Sequence, residues 1–252
     1  MPPGILDGRA DDLGAGEPGS SVEYSSQAIP PEATVVKHQR RNYGQYCGLA
    51  AALDLIGERW TLLIIRELLA GPCRYNLLLA NLPGIGTNLL ADRLKFLSQA
   101  GIIRQRPRAG SKLRTYELTE QGESLRESVL ALARWGLGTL DAPAAGEIVR
   151  PRWAALAIEA MVNAGAAGPD EQYEFRIDDE VFHVTVLDGQ VTVGHGKAEG
   201  EPALTLTTDS MTFVKIGAGL LNPLEATLTN RLAMDGDEDA IIRCSRLLGL
   251  VA

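Results

Sequence analysis

Thirteen basic residues lie between positions 37 and 116, where they could neutralise phosphate groups. The same stretch contains four acidic residues, so its net charge is +9, whereas residues 1–36 carry −5 and residues 117–252 carry −12. The whole chain of 252 residues has a net charge of −8. An acidic protein with one basic stretch is suited to presenting a single cationic surface to phosphates.

The composition, with 45% hydrophobic and 22% charged residues, is that of an ordinary globular protein. The longest compact apolar run, residues 62–65, is far shorter than the roughly 18 residues that span a bilayer. Residues 1–12 lack the pattern of a secretory signal. The cysteines at 47, 73 and 244 have the spacing of neither a disulfide framework nor a zinc site. We therefore expect a cytoplasmic protein with no membrane contact, metal or other cofactor.

Two breaks in composition divide the chain. Residues 1–36 are rich in Gly, Pro, Ser and acidic side chains, which predicts a disordered tail. A second stretch, rich in Gly, Ala and Pro, predicts a linker over 141–151. We therefore expect one domain over 37–140 and another over 152–252.

The first domain has the apolar period of helices, followed by two alternating stretches. Predicted helices cover 47–56, 60–69, 74–82, 87–99 and 119–137. Residues 102–106 and 114–118 alternate with period two and flank a basic turn containing Gly110, which predicts a hairpin. Helices followed by a hairpin with a basic tip are typical of a winged helix-turn-helix domain.

Several motifs in this domain resemble the HxlR family of bacterial transcription regulators. The longest is LDLIGERWTLLIIREL at 53–68, and GPCRY at 71–75, LPGI at 82–85 and Trp135-Gly136 extend the likeness over about residues 43–137. Members of that family are dimeric regulators that bind DNA. The resemblance therefore implies double-stranded DNA and a second copy of this chain as partners.

The helix predicted over 87–99 is the candidate for the DNA major groove, because its outer face opposes a stripe of leucines. Asn88 can pair bidentately with adenine, although a local hydrogen bond at the helix terminus is its alternative. The basic hairpin would hold phosphates or enter the minor groove. The predicted DNA contacts are Arg59, Arg74, Thr87, Asn88, Arg93, Lys95, Arg106, Arg108, Lys112 and Arg114.

Three of these arginines have a possible role other than contact with a base. Arg59 and Arg74 begin helices, where the helix dipole disfavours cations, so each favours a phosphate partner or an intramolecular ion pair. Arg93 lies at the flank of its helix, which suits a backbone phosphate better than a base.

Cys47 matches the position of a redox-sensing cysteine in some HxlR-like proteins. A buried, inert cysteine is the commoner arrangement and the one we expect.

The second domain alternates like strands over 173–206, and helices are predicted over 152–163, 210–220, 223–228 and 237–248. This pattern predicts an α+β fold in which helices cover an antiparallel sheet. PALTL at 202–206, NPLEA at 222–226 and LAMDGD at 232–237 resemble the sterol-carrier-protein type two fold.

That second resemblance implies a tunnel for an apolar molecule between the sheet and the helices. Ordinary core packing is the alternative for each wall residue. The candidate ligand-binding residues are Phe182, Val184, Phe213, Ile216, Leu220, Leu224, Leu228 and Met234.

No grouping of residues in the sequence predicts catalysis, and the histidines have no neighbouring nucleophile pattern. The two domains together favour a DNA-binding transcription regulator, most simply a repressor, whose second domain binds an apolar small-molecule effector. The alternative is a hydrophobic-metabolite carrier whose helical half serves to dimerise it. An enzyme acting on a hydrophobic substrate would need a nucleophile and a base in one pocket.

Overall fold

The computed structural model describes residues 42–107 and 114–250, all of which belong to one compact unit. The tail predicted over 1–36 lies outside the described residues, as do Arg108 and Lys112. The first part of the described chain contains α1 (Gly48–Ile56), α2 (Thr61–Leu69), α3 (Tyr75–Asn81), α4 (Thr87–Gln99), β1 (Ile103–Pro107), β2 (Arg114–Leu118), α5 (Glu120–Glu123) and α6 (Arg126–Leu137).

Helix α4 is held by its inner stripe of leucines. Leu90, Leu94 and Leu97 are each at most 1% exposed and join a core that includes Ile64 and Leu68 of α2. Burying a leucine contributes about 1.5–3 kcal/mol, so this stripe fixes which face of α4 turns outward. The helical prediction over 87–99 is confirmed.

The hairpin of β1 and β2 is antiparallel, with Gln105 opposite Tyr116. A backbone bridge between Cys73 and Tyr116 adds the segment before α3 to the side of β2. The hairpin is thereby fixed to the helical part, as expected for the wing of a winged helix-turn-helix fold.

The single helix predicted over 119–137 is wrong in one respect, because the chain turns between α5 and α6 at residues 124–125. Thr119 caps α5, and its Oγ1 accepts a hydrogen bond from the Gly122 backbone N–H at 3.2 Å. A Cβ on Gly122 would lie 2.2 Å from the Ile102 carbonyl oxygen, so α5 is packed directly against the start of the wing. The turn then lets α6 take a different direction.

The second part of the described chain begins with a short 3-10 helix, Pro151–Trp153. The remaining helices and strands are α7 (Ala154–Met161), a 3-10 turn at Ala164–Ala166, β3 (Glu171–Ile177), β4 (Glu180–Leu187), β5 (Gln190–His195), β6 (Leu204–Thr208), α8 (Ser210–Gly217), α9 (Pro223–Leu228), β7 (Leu232–Gly236) and α10 (Glu238–Leu247).

The strands form one sheet in the order β5-β4-β3-β6-β7. The expectation of a purely antiparallel sheet is wrong, since β3 and β6 are parallel, with Tyr173 opposite Leu204. After β5, at one edge of the sheet, the chain crosses over and adds β6 on the side of β3 that β4 does not occupy. This crossover makes β6 run in the same direction as β3. Strand β7, which was not predicted, forms the other edge.

One face of this sheet is covered by helices. Tyr173, Phe175 and Phe182 are at most 1% exposed, and they share a core with residues of α7, α8 and α10. The result is a two-layer α+β module, as predicted. None of the described helices is long and apolar enough to cross a bilayer.

Candidate nucleic-acid interface and ligand site

The outer face of α4 is open to solvent. Thr87, Asn88 and Lys95 are exposed, opposite the buried leucine stripe. None of their side chains makes a hydrogen bond or ion pair within the described residues. The Tyr75 hydroxyl donates to the Thr87 backbone oxygen at 2.8 Å and so ties α3 to the first turn of α4. The structure thus presents three predicted contacts together on one positioned helix.

Arg59 and Arg74 are also exposed and lie just before α2 and α3. The Arg59 guanidinium lies 5.3 Å from the centre of the Trp60 ring, a cation–π contact that leaves its donors available. The described residues show no ion pair for either arginine. Of the alternatives raised by the sequence, the intramolecular ion pair is therefore absent from this part of the chain.

Arg93 does not lie where the sequence placed it. The residue is 7% exposed, and Nη2 donates to Glu58 Oε2 at 2.7 Å. The helical period brings Arg93 to the inner side of α4, next to Leu94, so the structure removes it from the outer phosphate-facing surface. Its predicted contact with DNA is not supported by this position.

The wing carries cations that share acidic and polar partners. Arg104 and Arg106 both approach Glu117 Oε1, at 2.6 and 3.1 Å, and Arg114 Nη1 donates to Gln105 at 3.0 Å. All three arginines are exposed, so the pairs are weak and can rearrange around a phosphate. The predicted contacts Arg108 and Lys112 lie outside the described residues.

The basic stretch does not form a single surface. Arg66 turns inward from α2, and Nη2 donates to Glu67 Oε1 at 2.8 Å. Its guanidinium stacks on the Trp153 ring, 3.9 Å from the ring centre. Like Arg93, Arg66 makes contacts within the chain, so its charge does not add to the α4 surface, although its Nε has no hydrogen-bond partner in the described residues.

Glu67 is a site that the sequence did not reveal. Its carboxylate is fully buried and accepts hydrogen bonds from Arg66, from Asn81 Nδ2 at 2.8 Å and from Trp153 Nε1 at 2.6 Å. Arg152 also donates to the Glu67 backbone oxygen at 3.1 Å. These partners come from α2, α3 and the 3-10 helix, and no local pattern relates positions 67 and 153. The cluster joins the helix-turn-helix module to the α+β module.

Cys47 is exposed, and the expectation that it is buried is wrong. It directly precedes α1, and the backbone N–H groups of Ala50 and Leu49 lower the pKa of its thiol. Free amides at a helix N-terminus stabilise a thiolate. The helix predicted over 47–56 already placed Cys47 at a helix start, but the sequence did not show that its side chain is exposed there.

The eight predicted ligand residues do not line one cavity, although Phe182, Val184, Phe213 and Met234 pack in the same core. Phe182 and Val184 are fully buried in the sheet core, Phe213 and Ile216 are nearly so, and Met234 is half-buried on β7. The exposed members lie on or before α9: Leu220 is 44% exposed, Leu224 67% and Leu228 75%.

Two cavities lie where the modules meet. One, of about 680 Å³, is lined by Phe182, Arg126, Arg152 and the paired Glu180 and His195. The other, of about 1080 Å³, is lined by Leu220 together with residues of α2, α6, α7, α8 and the segment 139–149; we call it the junction cavity. The other six predicted ligand residues line neither cavity.

The fold and the exposed α4 surface define a winged helix-turn-helix protein that carries a second, α+β module. Comparison with known proteins assigns each module. The HxlR-like helix-turn-helix family matches residues 55–143, and the SCP-2 sterol transfer family matches residues 164–249.

Among curated proteins, the chain is 41% identical over 93 residues to an uncharacterised HTH-type transcriptional regulator of Mycobacterium tuberculosis. That match covers 36% of this chain and 58% of the relative, so the chain spans little more than half of the mycobacterial protein. It is 33% identical over 88 residues to the HTH-type transcriptional regulator YodB of Bacillus subtilis, covering 34% of this chain and 79% of YodB. The quinone-bound YodB crystal structure is similar with a TM-score of 0.31 and 33% identity, over 35% of this chain and 93% of that one. The chain belongs to the HxlR-like helix-turn-helix family.

Proposed function

We propose that this chain is a transcription regulator that binds double-stranded DNA as a homodimer and represses transcription, and that its second module binds an apolar small-molecule effector. The observation that carries the proposal is the exposed outer face of α4, where the side chains of Thr87, Asn88 and Lys95 make no hydrogen bond or ion pair with the described part of the chain. The relatives in Mycobacterium tuberculosis and Bacillus subtilis, both named HTH-type transcriptional regulators, support it.

The first turns of α4 enter the major groove in this proposal. Asn88 reads an adenine edge, and Thr87 reaches a base edge or a phosphate. The exposed cations Arg59, Arg74 and Lys95 hold phosphates next to the groove, and the wing, with Arg106 and Arg114, holds the adjoining backbone.

The homodimer is supported by apolar side chains that are exposed on and next to α1 and α6. Leu49 is 69% exposed, Leu132 52% and Trp135 73%, and Tyr46 precedes α1 with its ring open to solvent. Leu132 and Trp135 lie three residues apart on α6 and are therefore neighbours on one helix face, and exposed apolar groups of this kind indicate contact with another molecule. A twofold dimer through these helices would set two copies of α4 about one DNA turn apart, ~34 Å.

Regulation requires that the effector prefer one of two arrangements of the dimer. A ligand that binds both arrangements equally would not change the affinity for DNA. The contacts of Glu67 with Trp153 and Arg152 connect α2 to the second module. A movement of the 3-10 helix on effector binding would therefore displace α2 in the helix-turn-helix module.

The proposal is tested by fluorescence anisotropy of the full chain with labelled DNA from upstream of its own gene. The Lys95→Ala variant should bind more weakly and lower the salt slope by about one unit per protomer. Lys197→Ala is the matched control, because Lys197 is an exposed cation between β5 and β6, and it should bind like the natural protein.

The Arg108→Ala/Lys112→Ala double variant should weaken binding to all sequences and reduce the salt slope by about one or two units per protomer. An unchanged slope would remove the hairpin from the interface. If the natural protein binds its own upstream DNA no better than unrelated DNA, the regulator proposal fails.

A further inference from the structure

The junction cavity holds every tryptophan of the chain. The sequence contains three, and Trp60, Trp135 and Trp153 all line this cavity. They come from three separate parts of the chain: the turn before α2, the end of α6 and the 3-10 helix. In a protein with only 5% aromatic residues, this concentration gives one cavity an unusual capacity to bind flat rings.

The remaining walls are largely apolar and come from both modules. Leu62 and Leu63 lie on α2, Leu156 on α7, and Met211 and Val214 on α8. The volume, about 1080 Å³, is at the upper end of small-molecule sites, which are mostly apolar with a few placed polar groups. The cavity therefore has the lining of a ligand site, and it is open to solvent on the side of α6, where Trp135 is 73% exposed.

Trp60 is held in an uncommon backbone conformation at the edge of this cavity. Its φ is +77°, in the left-handed region that bulky residues rarely adopt. Its ring lies 3.6 Å from where a Cβ on Gly84 would stand, so ring and turn are closely fitted. Such conformations persist where the surroundings hold them, and they concentrate at binding sites.

The charge next to the cavity favours an anion. Arg66 lines the wall, and Arg152 lies 3.7 Å from the same buried carboxylate that pairs with Arg66, that of Glu67. Both guanidinium groups have an Nε that is buried without a hydrogen-bond partner in the described residues. Two cations thus approach one buried carboxylate, and burial lowers the pKa of the Arg66 guanidinium.

The other charged groups of the lining do not cancel this excess. Asp141 and Glu147 lie in the exposed segment after α6, where water screens them, and Glu147 already accepts from the Ala144 backbone N–H at 2.9 Å. Lys215 of α8 adds a half-buried ammonium without an ion pair in the described residues.

We propose that the junction cavity binds a flat, largely apolar ring compound that carries one anionic group, with its rings against Trp60 and Trp153 and its anion at Arg66. A guanidinium that is stacked on an indole and has donors to spare is well suited to a carboxylate or sulfonate. This site differs from a tunnel inside the sheet module, because its walls include α2 and α6.

Occupancy of the cavity would alter the contacts of Trp60, Leu62 and Leu63 at the start of α2, which precedes the helix pair that presents α4. This regulatory consequence rests on the proposed function, whereas the binding itself does not.

The binding test uses the full chain and 1-anilinonaphthalene-8-sulfonate, a flat apolar anion, with quenching of tryptophan fluorescence as the readout. N-phenyl-1-naphthylamine, which has the same rings without the sulfonate, is the comparison. We expect one probe per chain, with the neutral compound binding about tenfold more weakly because it lacks the charged hydrogen bond. Equal affinities would overturn the assignment of the anion to Arg66.

Two identical substitutions locate the probe. Val214→Phe adds a ring to the junction cavity, and Val193→Phe adds the same ring to the other cavity, which Val193 lines. We expect Val214→Phe to weaken binding about tenfold or more and Val193→Phe to change it less than about twofold. The reverse pattern, or no effect of either, would place the probe elsewhere and overturn the proposal.

Circular dichroism and thermal unfolding would check that both variants fold, and Ala157→Phe on α7 replaces Val214→Phe if the latter does not. Quenching that vanishes as the protein concentration rises into the dimer range would mean that a second copy fills the cavity, which also overturns the proposal. DNA affinity is measured separately. Loss of probe binding with intact DNA binding would refute only this inference, and the opposite result would refute only the proposed function.

Discussion

Arg93 of α4 donates to Glu58, with 2.7 Å between Nη2 and Oε2, and this pair fastens the helix that faces outward to the turn ahead of α2. The Arg93 side chain is 9% exposed and that of Glu58 is 48% exposed, so the carboxylate reaches in from the surface to compensate a buried charge. Arg93 Nε and Nη1 have no partner in the described residues. Glu58 is thus the group on which the burial of Arg93 depends.

The Glu58→Ala substitution should therefore destabilise the fold. Removing the carboxylate leaves a buried guanidinium without an acceptor, which costs about 1.5–3 kcal/mol in the free energy of unfolding. Urea denaturation measures the change. Asp92→Ala is the matched control, because Asp92 is an exposed acid next to Arg93 on α4. This variant should change the free energy of unfolding by less than about 0.5 kcal/mol. Equal losses in the two variants would contradict the role given to the pair.

The two faces of α4 show what the sequence could and could not predict. The spacing of Leu90, Leu94 and Leu97 was sufficient to assign the buried face, because helical periodicity is local. The inward position of Arg93 was not predicted, since its partner Glu58 is 35 residues away and belongs to another element. A basic side chain next to a buried stripe can point outward into solvent or inward to an acidic partner. Only the tertiary structure determines which of the two positions it takes.

The second module shows the same limit in its sheet and helices. Alternation predicted most strands, but the parallel pairing of β3 with β6 depends on where the chain returns after β5. Likewise, Leu224 and Leu228 have the apolar character of wall residues, yet α9 turns both outward. The Glu67 cluster and the junction cavity are formed by residues distant in sequence, so composition gave no sign of either.

The Trp153→Phe substitution should weaken the junction between the modules. It removes the indole N–H that donates to the buried Glu67 carboxylate at 2.6 Å, while a ring remains beneath Arg66. Loss of one hydrogen bond to a buried charge costs about 1–3 kcal/mol in the free energy of unfolding. Trp135→Phe serves as the control, since the Trp135 indole is exposed and has no hydrogen bond in the described residues. A Trp153→Phe protein as stable as this control would show that Glu67 is satisfied without the indole.

Asn88→Ala should change the specificity of DNA binding. If Asn88 pairs with an adenine edge, its loss removes about 1–3 kcal/mol of discrimination at one base pair and leaves non-specific affinity intact. Binding to a set of operator sequences, each altered at one position, measures this effect. The Lys95→Ala variant provides the contrast, because a phosphate contact weakens all sequences alike. A uniform loss in Asn88→Ala would instead assign Asn88 to a phosphate contact.

Leu49→Glu should produce a monomer that keeps the native fold. Leu49 is 69% exposed on α1, so the charge costs little in the isolated chain but would be buried in a dimer through α1 and α6. Sedimentation equilibrium measures the association, and circular dichroism the fold. Leu187→Glu, at the end of β4 where Leu187 is 57% exposed, should leave association unchanged. A Leu49→Glu protein that still dimerises would place the interface on another surface.

Cys47 should be the cysteine that reacts first with iodoacetamide in the folded protein. The backbone N–H groups of Ala50 and Leu49 lower its pKa below the ordinary 9.0, so the thiolate fraction, and with it the rate, rises at lower pH than for a cysteine in the unfolded chain. Burial raises the pKa of Cys73 and, with the nearby charge of Glu171, raises that of Cys244 to about 12, so both should stay unmodified until unfolding. Mass spectrometry across a pH series would show one added label with a midpoint below 9.0. Cys47→Ser should lose that label, and a midpoint at or above the unfolded value would show that the helix amides do not act on this thiol.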